Sequence, residues 1–291
     1  MRLSAVDIGS NAVRLLFCQV REEKSGLVIK KISLVRLPIR LGEDVFVEGR
    51  ISENKISKLS KALTSFNLLS DVYDVVDYRV CATSAMREAE NGKEVVDRIR
   101  KESGINIEVI DGKEEAQLVF DTHLSKELDK NKIYLYVDVG GGSTELTILS
   151  NGEKLVSKSF NIGTIRLKNN VVSKELWKSM MTWMKDVKEQ YKPEIAIGIG
   201  GNINALYKLC GLDDNAILKY KQLKSISKVL KAHSIAERMQ KFELRSDRAD
   251  VITHASKIYL AAMKNFEINE MIVPKIGVAD GIVYQLWKKQ K

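Results

Sequence analysis

Val137-Asp138-Val139-Gly140-Gly141-Gly142-Ser143-Thr144-Glu145-Leu146 is an apolar run ending in Asp, then a glycine turn with hydroxyl residues, then a second apolar run. The pattern predicts a strand, a tight turn and a return strand. A turn of Gly and Ser exposes backbone N–H groups that cradle a phosphate. An Asp at the strand end beside it suits a divalent cation or its water shell. The same grammar opens the chain in Val6-Asp7-Ile8-Gly9-Ser10-Asn11-Ala12-Val13-Arg14-Leu15. Two such units predict two similar halves facing one ligand; two plain β-hairpins would leave the triple glycine with Ser143 and Thr144 unexplained.

The flanking sequence repeats as well. Strands are predicted over Leu3–Ile8, Val13–Val20 and Leu27–Leu37, then a helix over Ser52–Leu69 with Ser52 as N-cap and Ile56, Leu59, Leu63 and Phe66 at helical spacing. A strand over Asp77–Ala82, a polar turn over Thr83–Arg87, a helix over Asn91–Glu102, a strand over Asn106–Ile110 and a helix over Gly112–Leu128 complete the first half. The second restarts with strands over Ile133–Val137, Thr144–Leu149 and Glu153–Phe160, which supports an internal repeat. Helix over Ser173–Glu189, strand over Glu194–Ile199 and helix to Cys210 follow. Helical sequence then covers Lys221–Lys231, Ser234–Gln240 and Ser246–Lys264, before a strand over Met271–Val273 and a helix over Asp280–Lys289. This is an α/β layout with mixed sheets. The boundary is placed near His123–Asn131, giving a first domain of 1–122 joined by 280–291 and a second of 123–279.

The 291 residues suffice for two cores. A hydrophobic fraction of 44% with 29% charged residues and three prolines excludes disorder. The balance is basic, 47 Lys and Arg against 38 Asp and Glu, which fits either a solvated basic surface or attraction to a polyanion. Lys219, Lys221, Lys224, Lys228 and Lys231 read as a solvated helix face or a polyanion guide. Cys18, Cys81 and Cys210 are scattered in apolar surroundings, as buried thiols of a reducing compartment are. No apolar run nears the ~18 residues of a membrane span, and the first residues read as strand rather than signal peptide, so the cytoplasm is expected. Trp177 and Trp183 read as packing or dimer-surface residues.

Three further segments carry chemistry. Gly198-Ile199-Gly200-Gly201-Asn202 joins a strand to a helix, where Gly201 would let an anion approach the helix N-terminus, or would serve the turn alone. Gly112-Lys113-Glu114-Glu115-Ala116-Gln117 opens a helix with two acids, which complement the helix dipole or present one carboxylate to a cleft. Thr83-Ser84-Ala85-Met86-Arg87 places an arginine after a strand, either on the surface or gripping phosphate in fork geometry.

Taken together, AVDIGSNAVRLL, VCATSAMREA, IEVIDGKEEAQLVF, LYVDVGGGSTELTIL, IGIGGNINAL and RADVITHASKIYL resemble the exopolyphosphatase / guanosine pentaphosphate phosphohydrolase family, in family order from residue 5 to about 260. The resemblance implies an α/β fold of two actin-like (ribonuclease H-like) domains with a cleft between them, the C-terminal helix packing on the first. It implies a metal-dependent hydrolase that releases terminal phosphate from inorganic polyphosphate or guanosine pentaphosphate by water attack. On the positions that match, Glu115 is the catalytic base. Asp138 and Glu145 hold Mg²⁺ or Mn²⁺, with Asp7 as a further metal ligand. Arg87 grips phosphate, and Ser10, Asn11, Gly140, Gly141, Gly142 and Ser143 form the two phosphate loops, with Gly201 as a further phosphate contact. Hydrolysis of this kind needs a positioned water and charge neutralisation more than a covalent nucleophile.

The implied partners are inorganic polyphosphate or guanosine penta- or tetraphosphate and a second copy of the chain as a homodimer; no nucleic acid or membrane is expected. Two departures from relatives remove positive charge: Gln117 stands where many carry Arg, and Gly277-Val278-Ala279-Asp280-Gly281 where many read Gly-Leu-Arg-Glu-Gly. His123, His233 and His254 form no pair like that of the His-Asp domains of longer relatives. A phosphotransferase and a non-catalytic sensor of alarmone or polyphosphate are the rival readings.

Overall fold

In the computed structural model, which describes residues 1–24, 26–122 and 128–291, the chain divides into two units. Unit 1 is Met1–His123 with Gly277–Lys291, and unit 2 is Leu124–Ile276. Unit 1 runs β1 (Arg2–Ile8), β2 (Val13–Glu23), β3 (Gly26–Leu37), α1 (Leu41–Glu48), α2 (Glu53–Val72), β4 (Asp77–Ala82), α3 (Ser84–Glu88), α4 (Gly92–Ser103), β5 (Glu108–Val109) and α5 (Gly112–Phe120). Unit 2 runs β6 (Ile133–Val139), β7 (Thr144–Ser150), β8 (Glu153–Phe160), α6 (Thr164–Lys168), α7 (Lys174–Tyr191), β9 (Ile195–Ile199), α8 (Gly201–Leu209), β10 (Leu218–Lys219), α9 (Tyr220–Lys231), α10 (Ile235–Lys241), α11 (Ser246–Ala249), α12 (Ile252–Asn265) and β11 (Glu270–Ile272). The last helix, α13 (Val278–Lys289), packs on β1, β2, β4 and α5 of unit 1.

Each unit holds one mixed sheet, in the order β3-β2-β1-β4-β5 and β10-β11-β9-β6-β7-β8. In both, three strands meander antiparallel and the first pairs parallel with a later strand, β1 with β4 and β6 with β9. The middle strands are buried along almost their whole length because both faces are covered. Edge strands β3 and β8 carry exposed polar positions. In α2, Ile56, Leu59, Leu63 and Phe66 are all buried, as their spacing requires, and Phe66 stacks on Phe17 of β2 at 5.5 Å. In unit 2, Leu135, Val137, Leu146, Ile148, Met184 and Tyr259 share one core.

Several local expectations change. Short helices α1 and α6 follow β3 and β8, where no helix is readable. Thr83–Arg87 is not an irregular turn but the start of the one-turn helix α3. The helical stretch Ser246–Lys264 breaks at Asp250-Val251 into α11 and α12. Ser52 occupies the N-cap of α2 without a side-chain cap bond; its N–H donates to Asp44 Oδ2 at 3.1 Å instead. The helix expected over Gly112–Leu128 ends at Phe120; its tail, and part of the boundary near His123–Asn131, lie outside the described residues.

Cys18 and Cys81 are fully buried, and burial pushes both thiols up to about 12. Trp183 packs edge-on against Phe160 at 5.6 Å, and Lys257 lies over Trp177 at 4.7 Å. Among the described residues no helix is long and apolar enough to cross a membrane.

Candidate active site

In unit 1 the loop between β1 and β2 is held by its carbonyls. Ser10 O accepts from Gly42 N at 2.9 Å, Asn11 O from Arg40 N and Ala12 O from Gly9 N, both at 3.2 Å. Gly42 is buried here, where a Cβ would fall 3.0 Å from that of Ser10. A planar trans peptide sets N–H opposite C=O, so tying back the Ser10 and Asn11 carbonyls turns the N–H groups of Asn11 and Ala12 the other way.

The Ser10 and Ser84 hydroxyls hydrogen-bond at 2.8 Å, joining the loop to α3. Arg87, on α3, donates to the Ile110 carbonyl at 2.6 Å, immediately before α5. Asp111 caps α5 by accepting from Lys113 N and Glu114 N at 2.9 and 2.8 Å. The Glu114 bond leads in holding this carboxyl below its usual range. Unit 1 therefore gathers Ser10, Arg87 and the first turn of α5 through one run of contacts.

Glu115 lies in that first turn, half-buried, with Oε2 shielded from solvent. Its neighbour Glu114 accepts from Arg79 Nη2 at 2.6 Å, and Arg79 also bonds Glu108 at 2.7 Å and Gln285 at 3.0 Å. Arg79 is only 10% exposed while both carboxylates are near half exposed. Discounted for that screening, Arg79→Met is expected to destabilise by about 1–2 kcal/mol, read by urea denaturation. Because α5 loses its clamp, kcat should fall with it; an unchanged midpoint would show the clamp to be idle.

The two charge-removing departures are absorbed within unit 1. Gln117 donates to Asp121 at 2.6 Å, and Ala279 is buried. Asp280 bonds Lys31 at 2.7 Å and accepts from Gly277 N at 2.9 Å.

In unit 2 the loop repeats the arrangement. Gly140 N donates to Ser143 O at 2.9 Å as Gly9 N does to Ala12 O, and Ile165 N to Gly141 O at 2.9 Å as Gly42 N does to Ser10 O. Gly140 O accepts from Thr164 N at 3.0 Å. Asp138 of β6 stands directly opposite Glu145 of β7, which puts both carboxylates on one face with Cβ atoms roughly 4.5–5.5 Å apart. Glu145 is 3% exposed and accepts from the Ser159 hydroxyl at 2.8 Å.

The corresponding row of unit 1 has diverged. There Asp7 stands opposite Arg14, Arg14 opposite Arg36, and Asp7 Oδ2 pairs with Arg14 Nη1 at 2.5 Å. In unit 2 acid stands opposite acid, a charge pattern that a divalent cation would balance. Asp7, the third expected metal ligand, already faces a cation of its own.

Among the described residues no group of three or more His, Cys, Asp and Glu is placed to hold a metal ion. Two protein carboxylates, with water and substrate oxygens completing the shell, is the donor set that suits Mg²⁺.

Gly200 and Gly201 border the same strand end. A Cβ on Gly200, whose φ is +107°, would lie 3.3 Å from Asp138 Oδ1. One on Gly201 would lie 2.9 Å from the Arg248 guanidinium, which donates to Asn202 Oδ1 at 3.1 Å. Tyr259 is fully buried and donates to the Ile199 carbonyl. Burial first, then the Asp138 charge, push its phenol well up. Arg248 is the cation that sequence reasoning gave no role; the quoted RADVITHASKIYL stretch contained it without showing that the fold brings it to Gly201.

Two loops of matched geometry, each on a mixed sheet that begins with the same antiparallel meander and parallel return strand, make this an actin-like two-domain α/β protein. The model of the Ppx/GppA phosphatase family matches residues 19–290, and the chain belongs to that family.

A structure of the Aquifex aeolicus Ppx/GppA family member superimposes with a TM-score of 0.79 at 26% identity, covering 100% of this chain and 99% of that one. Exopolyphosphatase 1 of Mycobacterium tuberculosis is 23% identical over 310 residues, which is 97% of this chain and 87% of the relative. A guanosine-5'-triphosphate,3'-diphosphate pyrophosphatase of Photobacterium profundum is 24% identical, covering 99% of this chain and 60% of the relative. A bifunctional 3-dehydroquinate synthase/phosphatase of Fusobacterium nucleatum is 33% identical over 169 residues. That match spans 56% of this chain and a quarter of the length of the relative.

Proposed function

We propose that the protein is a divalent-metal-dependent phosphoanhydride hydrolase that removes terminal phosphate from inorganic polyphosphate or guanosine pentaphosphate. The observation that supports it best is the pair of loops whose carbonyls are tied back, in a chain where a carboxylate opens the helix fastened by Arg87. The substrate class follows relatives named for those two substrates, and the family is one of phosphatases.

In this reading the Asn11–Ala12 and Gly141–Ser143 N–H groups hold phosphate oxygens, and Arg87 adds a cation to the grip. Glu115 takes the proton from the attacking water. Asp138 and Glu145 hold Mg²⁺ or Mn²⁺, which when bound neutralises charge on the phosphate oxygens. A homodimer in the reducing cytoplasm completes the proposal; the free, buried Cys18 and Cys81 support the compartment.

Replacing Asp138 by Asn removes one of two carboxylates while keeping the strand. The half-saturating Mg²⁺ concentration for phosphate release should then rise at least about tenfold. An unchanged Mg²⁺ dependence would remove Asp138 from the metal site.

A further inference from the structure

The loop Gly140–Ser143 owes its aim to a segment that no motif marks. Three successive carbonyls accept hydrogen bonds from three successive residues: Gly140 O from Thr164 N at 3.0 Å, Gly141 O from Ile165 N at 2.9 Å and Gly142 O from Arg166 Nε at 2.7 Å. Gly163 makes the approach possible, since a Cβ there would fall 2.3 Å from Gly141 O and 2.4 Å from Gly142 C. With the carbonyls fastened, the N–H groups of Gly141, Gly142 and Ser143 face away from this segment.

The third tie differs from the other two. It is the one made by a side chain, and its donor is a cation. A charged donor on a carbonyl polarises that peptide and strengthens the N–H on its far side, here that of Ser143. In unit 1 the matched carbonyl, Asn11 O, accepts a backbone bond from Arg40 N at 3.2 Å. Counting from the matched Gly42 and Ile165, Glu43 takes the place of Arg166.

We infer that Arg166 is a positioning residue of the phosphate loop, orienting and polarising the Gly142–Ser143 peptide toward a bound phosphate group. The inference rests on reading Gly140–Ser143 as a phosphate loop, and the experiment keeps the two apart. Arg166→Met, Arg166→Lys and, as a helix control, Lys168→Met would be compared with wild type. Lys168 pairs with Asp250 at 2.8 Å on the same short helix.

Two readouts are taken: the thermal shift produced by inorganic phosphate, and KM against kcat for tripolyphosphate with Mg²⁺. Arg166→Met should raise KM about tenfold with little change in kcat and should suppress the phosphate-induced shift. Arg166→Lys should recover part of both, and Lys168→Met neither gain nor lose. A merely structural role would lower the melting temperature without phosphate and leave the phosphate-induced shift and KM as in wild type; that result overturns the inference. A wild type that shows no phosphate-induced shift overturns the loop reading and the inference with it.

Discussion

Glu115→Gln is expected to lower phosphate release by about 10²- to 10⁴-fold, the usual contribution of a positioned general base. The substitution keeps size and shape but turns one acceptor oxygen into an amide donor and removes the basicity of the carboxylate. Nothing else in the first turn of α5 can substitute: Glu114 is committed to Arg79, and Asp111 to the cap of its own helix. The melting temperature should stay within roughly 2 °C of wild type, because the change is isosteric on a half-buried side chain. Activity within a few-fold of wild type would assign the proton transfer to another group.

Gly281→Ala should produce the largest loss of stability. A Cβ at this position of α13 would lie 1.9 Å from the Leu118 carbonyl oxygen, 2.3 Å from its carbon and 3.0 Å from its Cα. All three belong to the backbone of α5, so no side chain can swing aside. Helix propensity alone predicts the opposite sign, since Ala is favoured over Gly by about 1 kcal/mol in a helix. The clash should outweigh it by about 3 kcal/mol, a fall of roughly 6–12 °C in melting temperature. Leu118 lies one turn beyond Glu115, so the displaced helix should also lose kcat. A stabilised variant would mean that α13 and α5 do not approach this closely.

Much of this architecture was legible from residue order. Alternating and continuous apolar runs marked both meanders, and the Asp-Gly turns marked the strand junctions. What was not legible depends on tertiary partners. Helices α1 and α6 are too short to show a period; α6 gains its first turn from the Gly140–Gly142 carbonyls, which no local rule supplies. The break at Asp250-Val251 carries neither Gly nor Pro, so the helical pattern reads straight through it. Arg248 and Asn202 meet across 46 residues of chain, and the packing of α12 on α8 brings them together.

The candidate site was legible to a similar depth. Glu115, Asp138 and Glu145 were picked out by residue type and resemblance, and the strand register then explains why Asp138 and Glu145 share a face. Asp7 differs from them in facing a base across its ladder. Both Asp residues end equivalent strands, yet the residue across the ladder is Glu in one unit and Arg in the other. The duplicated frame thus carries acid opposite acid in one row and acid opposite base in the other.

On the proposed function, Glu115 activates the water that cleaves a terminal phosphoanhydride bond. The most direct measurement is phosphate release from polyphosphate and from guanosine pentaphosphate, with Mg²⁺, in water enriched in the heavy oxygen isotope. Each orthophosphate released should carry one heavy oxygen from solvent, at a rate that depends on Glu115. Phosphate appearing instead on a nucleotide or another acceptor, or no release from either substrate, would contradict it.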